Sequence, residues 1–422
     1  MWIKVLILFC IILAVYGQTM GDSSKLIEDL LNGYDKLVRP VADQSQPVIL
    51  YISMDLVAIQ EFDEVLEKFS VVAVIYVVWE DIRMTWNSSD YLGLSTIMIP
   101  QPNVWTPTLL VTNSFDTLKP IGADWMKVRY YDSGISVYSP GDVFQTTCAV
   151  DVTFYPYDAQ TCKVTLIPWG SLPNEIIIYA SKDYVLKSYF SENGEWEITS
   201  TSVISGTTDV LSYIEFTIKM KRRPRFVLVN VLLPLIFIGI LNIMVFILPP
   251  ESGERVSFAI TVLLAFAVFL TIVGDNLPKT SKPMPMICYF LLVNLSLSTF
   301  ICIMTILNLR LYHKPESKPV PRLLAAIARK LNCMCAPALN AVQPFFQESI
   351  NEIPVTKKET MSLKLKNESD QMWTTKEDLI AAVNWKDVSR MVDKVLCIFS
   401  LLWLIISTTM FIVGIEAHQE IV

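Results

Sequence analysis

Histidine is scarce in this chain, which has only His313 and His418 among its 422 residues. The sequence also lacks the HExxH, GxSxG, Walker-loop and CxxC motifs, and no spacing of its acids and serines marks a catalytic pair or triad. Histidine is the commonest general acid or base near neutral pH. The sequence therefore predicts a protein that is not an enzyme and that needs neither a cofactor nor a bound metal.

Charge is sparse as well, since 18% of the residues are charged and 52% are hydrophobic, with a mean hydropathy of +0.44. A soluble globule has about 25% charged residues, so the composition indicates a membrane protein, with no nucleic-acid partner expected. Residues 1–17 combine one lysine, an apolar run and small residues at Val15 and Gly17. This pattern is typical of a secretory signal peptide, which puts the mature start near Gln18.

Four long apolar stretches follow in the second half of the chain, and each can cross about 30 Å of hydrocarbon as a helix. They are Phe226 to Pro250, Val256 to Gly274, Met286 to Leu309 and Val395 to Ile415. Basic residues near both ends of the long segment between the third and fourth stretches favour an intracellular location for it. We expect an extracellular domain at 18–222, spans at 223–311 and 394–416, an intracellular segment at 312–393, an extracellular end at 417–422, and insertion in the plasma membrane. Within the intracellular segment, Thr374 to Val395 is predicted to form an amphipathic helix that continues into the last span.

The sequence of the exported part predicts mainly β-structure. Runs rich in β-branched and aromatic residues alternate partly with polar ones at Val71 to Trp79, Ile135 to Ser139, Cys162 to Trp169 and Ser212 to Lys221. This predicts a β-sandwich of short strands, with Trp79, Trp86 and Trp105 in its core. A short helix is expected before it, from Ser23 to Leu37. Asn87 begins the one glycosylation sequon of this part.

Two cysteines, Cys148 and Cys162, are the only ones in the exported part, and thirteen residues separate them. In an oxidising compartment such a pair persists as a disulfide, which would stabilise the fold by about 3 kcal/mol. Two buried thiols are the alternative. Between them lies FYPYD, where the bond before Pro156 is a candidate for the cis form.

The second apolar stretch carries a polar stripe along one helical face, because its members follow at steps of four, three, four, three and four residues. Glu254 lies just before this stripe, which consists of Ser257, Thr261, Leu264, Val268, Thr271 and Asp275. If several copies of this helix faced a common axis, their hydroxyls and carboxylates could attract and bind a cation. Rings of Leu264 and Val268 could then close the path. The alternative is close packing in a helix bundle through small polar residues.

Three features together resemble the Cys-loop pentameric ligand-gated ion channels, and within them the nicotinic acetylcholine receptor branch. They are the thirteen-residue cysteine loop with FYPYD, the motif LPPESGERVSFAITVLLAFAVFL from Leu248 to Leu270, and the order sandwich, three spans, long loop, fourth span. The resemblance implies a β-sandwich extracellular domain and a four-helix transmembrane domain. It also implies a pentamer of this or related subunits in contact with membrane lipids.

The resemblance implies further roles near the membrane. The tip formed by Tyr155, Pro156, Tyr157 and Asp158 would carry ligand-induced motion to the gate, and the segment from Lys279 to Pro285 would receive it. A second contact loop would contain Asp63, Glu64 and Val65, and Arg222 would pair with its acids. Because Glu254 is present with no Pro-Ala insertion before Arg255, the resemblance implies permeation by monovalent cations, with divalent ones left open.

At the ligand site the chain departs from the nicotinic pattern. Trp169 matches the family's central tryptophan, but Thr112 stands where the family has a tyrosine and Val74 where it has a tryptophan. The loop that caps the site in the family, near Ser202 to Tyr213 here, is short and lacks the adjacent cysteine pair. Each lost ring removes about 0.5–2 kcal/mol of cation–π attraction. The remaining candidate contacts for a small extracellular ligand are Tyr76, Tyr130, Tyr131 and Tyr213, all of which also fit plain sheet positions.

Two hypotheses follow. The first is a subunit of a ligand-gated cation channel with an altered agonist. The second is a non-conducting modulatory or structural subunit of a mixed pentamer, which the reduced aromatic cage favours and the complete polar stripe does not. A passive anchor for an adhesion domain would need one span and would leave the stripe unexplained.

Overall fold

The computed structural model describes residues 19–275, 284–315, 319–321, 323–328 and 384–419. The chain divides into two compact units, one with residues up to Leu228 and Gly274–Pro285, the other with Val229–Val273 and the residues from Met286 onward. The predicted signal peptide, residues 276–283 and most of the intracellular segment lie outside the described residues, and residues 276–283 include most of the expected receiving segment.

The described part of the first unit contains one long helix and eleven strands. The helix is α1 (Met20–Leu31), and the strands are β1 (Val48–Asp63), β2 (Lys68–Thr85), β3 (Thr96–Pro100), β4 (Leu109–Val111), β5 (Lys127–Tyr131), β6 (Ser133–Tyr138), β7 (Gly141–Thr147), β8 (Ala159–Pro168), β9 (Ile176–Ala180), β10 (Trp196–Thr207) and β11 (Ser212–Arg222).

The strands form the two sheets of a β-sandwich, as the sequence predicted. One sheet runs β3-β5-β6-β2-β1-β9, with β7 also paired to β2, and the other runs β10-β11-β8-β4. Alternate residues of β2, from Val71 through Ala73, Ile75 and Val77 to Trp79, are buried, because successive side chains of a strand point to opposite faces. The Trp79 ring packs edge-on against that of Trp105 at 5.7 Å, which confirms both as core residues. Trp86 is only half-buried, because it follows the end of β2 and its Nε1 donates to the carbonyl of Leu94 at 2.7 Å.

Helix α1 differs in its limits from the prediction of Ser23 to Leu37. It begins at Met20 because Thr19 and Asp22 form a capping box, in which each side chain accepts a hydrogen bond from the other's backbone N–H. It ends at Leu31, just before Gly33, whose φ of +77° lies in the left-handed region that favours glycine and stops a helix.

The second unit is built on four helices that are long and apolar enough to cross a membrane. They are α2 (Arg225–Met244), α3 (Arg255–Asp275), α4 (Met286–Tyr312) and α5 (Trp385–Gln419). All four predicted apolar stretches are therefore helical. Helix α2 ends six residues before the predicted limit because Pro249 and Pro250 follow, and proline neither donates to a helix nor lets the preceding residue remain helical.

Helix α5 runs without a break from Trp385 through the fourth span. This agrees with the prediction that an amphipathic helix starting at Thr374 continues into that span, although residues 374–383 lie outside the described part. The core beside it joins α3, α4, α5 and the two residues that follow α2, through the buried side chains of Val245, Phe246, Ala259, Leu297, Ile301, Cys302 and Leu396. Burial of such side chains is worth about 1.5–3 kcal/mol each in water, but between helices in lipid the close fit matters more.

Candidate functional site

The polar stripe of α3 is the face that this chain leaves uncovered. Every predicted member is exposed, including Leu264 at 61% and Val268 at 47%, and the complete set is Glu254, Ser257, Thr261, Leu264, Val268, Thr271 and Asp275. The opposite face is buried against the other helices through Ala259, Val262 and Phe266. The 3.6-residue period of the sequence therefore separates two faces of α3 in the folded chain.

Two hydroxyls of the stripe are held by their own helix. Thr261 Oγ1 donates to the carbonyl of Ser257 at 2.9 Å, and Thr271 Oγ1 donates to the carbonyl of Val268 at 2.7 Å. A hydroxyl that donates its proton to the backbone keeps its oxygen lone pairs directed outward. These side chains can therefore offer oxygen ligands to a passing cation without leaving a backbone carbonyl or hydroxyl unpaired.

A sharp turn carries Glu254 into α3. Gly253 has a φ of +71°, and the backbone N–H of Phe258 donates to the carbonyl of Glu254, which makes Glu254 the first residue of the helical hydrogen-bond ladder. Its side chain is exposed. This turn therefore places the Glu254 side chain at the N-terminal end of α3, beside the start of the stripe.

The cysteine loop is closed as predicted, because Cys148 and Cys162 form a disulfide with their Cα atoms 5.2 Å apart. The peptide bond between Tyr155 and Pro156 is cis, as predicted. Within the tip, Pro156 is buried and Tyr157 is half-buried. Burial raises the pKa of the Tyr155 hydroxyl, against the opposing influence of the Arg222 charge.

Arg222, the last residue of β11, is buried among acids from different parts of the first unit. Its Nε donates to Asp158 Oδ1 at 2.8 Å, it pairs with Glu64 in the turn between β1 and β2, and its Nη1 lies 3.5 Å from Glu195 Oε1. Burial opposes the charge of Arg222, but the hydrogen bonds and charges of Asp158 and Glu64 outweigh it and raise the pKa of Arg222. The predicted pairing with an acid of this turn is therefore present.

Sequence reasoning missed two members of this cluster. The Trp196 ring lies 4.2 Å from the Arg222 guanidinium carbon, and Glu195 precedes it in the chain. The register of the hairpin formed by β10 and β11 places Trp196 opposite Arg222, and the sequence alone does not define that register. The two other residues expected to take part in coupling differ in exposure, since Val65 in the β1–β2 turn is 38% exposed whereas Pro285 is buried.

The candidate ligand site lies around Trp169, which follows β8 and is 55% exposed. Its backbone N–H donates to the carbonyl of Thr108 at 2.8 Å, so the backbone is fixed while the ring stays accessible. Thr112 is exposed beside the same strand, and its hydroxyl donates to the carbonyl of Thr165 at 3.4 Å. A threonine hydroxyl supplies no aromatic face for a cation at this position.

The four candidate tyrosines differ in accessibility. Tyr130 is fully buried in the sheet, and burial raises the pKa of its hydroxyl, so it is a core residue that a ligand at the surface does not reach. Tyr131 is 37% exposed, whereas Tyr76 and Tyr213 are half-buried. The Tyr213 ring lies close over Gly206, within 3 Å of where a Cβ on that glycine would stand.

The loop that would cap the ligand site is short, as predicted. It joins β10 to β11 through Thr208–Leu211, and the Thr208 hydroxyl accepts from the backbone N–H of Leu211 at 3.1 Å and donates to its carbonyl at 3.0 Å.

Asn87, the first residue of the glycosylation sequon, is exposed at the start of the short helix Ser88–Tyr91, with its Oδ1 accepting from the backbone N–H of Ser89. The described residues contain no cluster of metal-binding side chains.

Known proteins resemble this chain along most of its length. The family model for the neurotransmitter-gated ion-channel ligand binding domain matches residues 23–224, and that for the neurotransmitter-gated ion-channel transmembrane region matches residues 231–378. Neuronal acetylcholine receptor subunit alpha-6 of Mus musculus is 27% identical over 327 residues, which are 75% of this chain and 66% of that protein.

Two further relatives belong to the same group of receptors. The 5-hydroxytryptamine receptor 3A of Cavia porcellus is 35% identical over 317 residues, covering 72% of this chain and 64% of that protein. Neuronal acetylcholine receptor subunit beta-3 of Homo sapiens is 28% identical over 426 residues, covering 93% and 92%. The match thus spans a little under two thirds of the length of the mouse and guinea-pig relatives (66% and 64%).

The two family matches follow one another along the chain, and they take in the sandwich with its disulfide and the first three apolar helices. The chain therefore belongs to the neurotransmitter-gated ion-channel family, the Cys-loop receptors, whose members are membrane proteins with an extracellular N-terminal ligand-binding domain and are ion channels, not enzymes.

Proposed function

We propose that this chain is a subunit of a pentameric, cation-selective channel that opens when a small extracellular ligand binds between subunits. The observation that carries the proposal is the exposed stripe of α3, which has hydroxyls at Ser257 and Thr261, apolar side chains at Leu264 and Val268, and a carboxylate at each end. Around a central axis, the hydroxyls replace part of an ion's hydration shell and the apolar rings close the path by dewetting.

Selectivity for cations is supported by the exposed carboxylates of Glu254 and Asp275. Five copies of Glu254 at a narrow mouth would produce a strongly negative ring that concentrates cations and repels anions. Monovalent cations are the expected permeant ions.

The proposed ligand is a small molecule other than acetylcholine. The relatives are named as acetylcholine receptor subunits and as a 5-hydroxytryptamine receptor, so similarity leaves the ligand class open. Trp169 is exposed, but Thr112 and Val74 supply no ring and Tyr130 is buried. Trp169, Thr112, Tyr213, Tyr131 and Tyr76 form the proposed contact set, with few of the cation–π contacts that a quaternary ammonium ligand requires.

Coupling between ligand and gate is proposed to run through Arg222 and the acids around it. The disulfide-closed loop with Tyr155, Pro156, Tyr157 and Asp158, and the turn with Glu64 and Val65, are both tied to this guanidinium through Asp158 and Glu64. A loop held this firmly transmits a displacement, whereas a loose one absorbs it. Pro285 is the proposed receiving residue.

The channel function can be tested by replacing the apolar gate. A Leu264→Thr variant, expressed alone in oocytes, should carry more current than the unmodified chain, spontaneously or with amines, amino acids and protons as test ligands, because a hydroxyl ring does not dewet as a leucine ring does. Replacement of sodium by a large impermeant cation should abolish the inward current. Leu263→Thr, on the neighbouring packed face, is the matched control.

A non-conducting modulatory subunit is the second candidate, and the reduced aromatic cage supports it. Its signature would be a Leu264→Thr variant that reaches the cell surface and remains silent alone, but that changes the currents of a co-expressed nicotinic subunit. Current from the variant expressed alone would exclude this alternative.

A further inference from the structure

Two opposite charges are adjacent at the start of α3, yet they have opposite environments. The Glu254 side chain is exposed, whereas Arg255 is 2% exposed and is among the largest fully buried side chains of the described residues. If both side chains faced the same water, the guanidinium would cancel most of the field of the carboxylate. The burial of Arg255 therefore decides the net charge at the end of the α3 stripe.

A carboxylate on α5 holds Arg255 in place. Arg255 Nη1 and Nη2 donate to the two oxygens of Asp393 at 3.0 Å and 2.9 Å, and Nε and Nη2 donate to the carbonyls of Leu248 and Phe246 at 2.7 Å and 3.1 Å. Within the part of the chain that the structure describes, the ion pair of Arg255 is with Asp393 and not with Glu254.

The carboxylate is itself oriented from a third helix. Asn308 on α4 donates from Nδ2 to Asp393 Oδ1 at 2.7 Å and to the carbonyl of Ser389 at 3.2 Å. A bidentate arginine–carboxylate pair with fixed partners on both sides has little freedom to rotate. The arrangement joins α3, α4 and α5 and directs the guanidinium away from the exposed stripe.

We propose that Asp393 is a positioning residue for ion selectivity, because it keeps the positive charge of Arg255 off the conducting face and leaves the Glu254 carboxylate unneutralised. This inference rests on the proposed channel function. Without a charge at position 393, the buried guanidinium would lose its counter-ion, and burying an unpaired charge is unfavourable. The long arginine side chain would extend to water, where the adjacent Glu254 would attract it.

The test uses the full-length chain carrying Leu264→Thr as the parent. Asp393→Asn should lower the inward sodium current per surface subunit by about threefold or more and raise the ratio of chloride to sodium permeability, since the cation-concentrating field is lost. Asp393→Glu should retain most of the current. Asp387→Asn, which breaks the exposed 3.6 Å pair with Arg390 on the same helix, should leave both readouts unchanged.

The double variant Arg255→Gln with Asp393→Asn distinguishes an electrostatic role of Asp393 from a purely structural one. It lacks the ion pair, but it also lacks the freed positive charge, so the current and the permeability ratio should return to the parent values. A double variant as impaired as Asp393→Asn would overturn the proposal in favour of a purely structural role, and unchanged permeation in Asp393→Asn would overturn it directly.

The proposed function fails separately if the parent reaches the surface and never conducts, and the selectivity role then falls with it. In that case, melting temperatures of the purified chain test the pairing of Arg255 with Asp393 directly. Asp393→Asn should melt lower than the parent and the double variant should recover part of the loss. Equal melting temperatures for all variants would contradict the buried pair itself.

Discussion

Arg222 concentrates several interactions of the first unit in one side chain. Its guanidinium contacts Asp158, Glu64 and Glu195 and lies over the Trp196 ring, and the residue is only 4% exposed. A buried arginine is tolerated because several partners replace the water that it gives up, and losing one partner leaves a charge with too little compensation. Stability and the proposed signal transmission would therefore depend on the same contacts.

Asp158→Asn should destabilise the folded chain by about 3–5 kcal/mol, because it removes one charge of a buried pair while Arg222 stays in place. A large fall in the melting temperature of the purified chain, together with less protein at the cell surface, is the expected result. Glu192→Gln is the matched control, since Glu192 is 80% exposed and pairs with Arg223 at 3.3 Å. Equal melting temperatures for the two variants would show that the Arg222 pair adds nothing to stability.

At the scale of elements, the conformational freedom of the disulfide loop and of α3 is limited in two different ways. The disulfide joins residues 14 positions apart and so restricts the unfolded chain as well as the folded loop. Helix α3 is restricted on one side only, because Ala259, Val262 and Phe266 are buried while the stripe is not. The proposed gating would use both elements, the restrained loop to transmit motion and the exposed face of α3 to line the pore.

Replacing both Cys148 and Cys162 by serine should cost about 3 kcal/mol of stability, the loop-closure value for a loop of this size. Surface expression should fall strongly at 37 °C and recover in part at a lower temperature. Cys288→Ser serves as the control, because Cys288 lies half-buried in α4 and outside the disulfide. Normal surface levels of the double variant would mean that the cross-link is dispensable for folding.

At the scale of the whole molecule, the exposed surfaces of one chain support the proposed assembly of several subunits. The α3 stripe has no axis to face in a single copy, and the exposed Trp169 has no opposing surface. Exposed polar atoms in a spanning helix are unfavourable in lipid unless they line water or a neighbouring subunit. Several copies arranged in a ring satisfy both surfaces at once.

The full-length chain purified alone in mild detergent should therefore form a particle of five copies. Native mass spectrometry or single-particle imaging would measure the stoichiometry, and the stripe from Glu254 to Asp275 should line a central opening. A monomer, or a particle that forms only with a second subunit, would instead favour the modulatory alternative. A ring with the stripe turned toward lipid would exclude conduction through it.

The sequence alone determined the features that depend on local pattern. Apolar length defined the four spans, period-two alternation defined the sandwich strands, and the 3.6-residue period defined the stripe of α3, because each follows from backbone geometry. The cysteine pair was determined equally well, since Cys148 and Cys162 were the only candidates in the exported part.

Only the tertiary structure decided which side chains meet across elements and which are buried. It enclosed Tyr130, placed Glu195 and Trp196 beside Arg222, and paired Arg255 with Asp393 across 138 positions of sequence. Such contacts follow from the packing of distant elements, and a single sequence carries no local signal for them. The charge presented at the end of α3 is therefore a property of the fold, although Glu254 and Arg255 are adjacent in the chain.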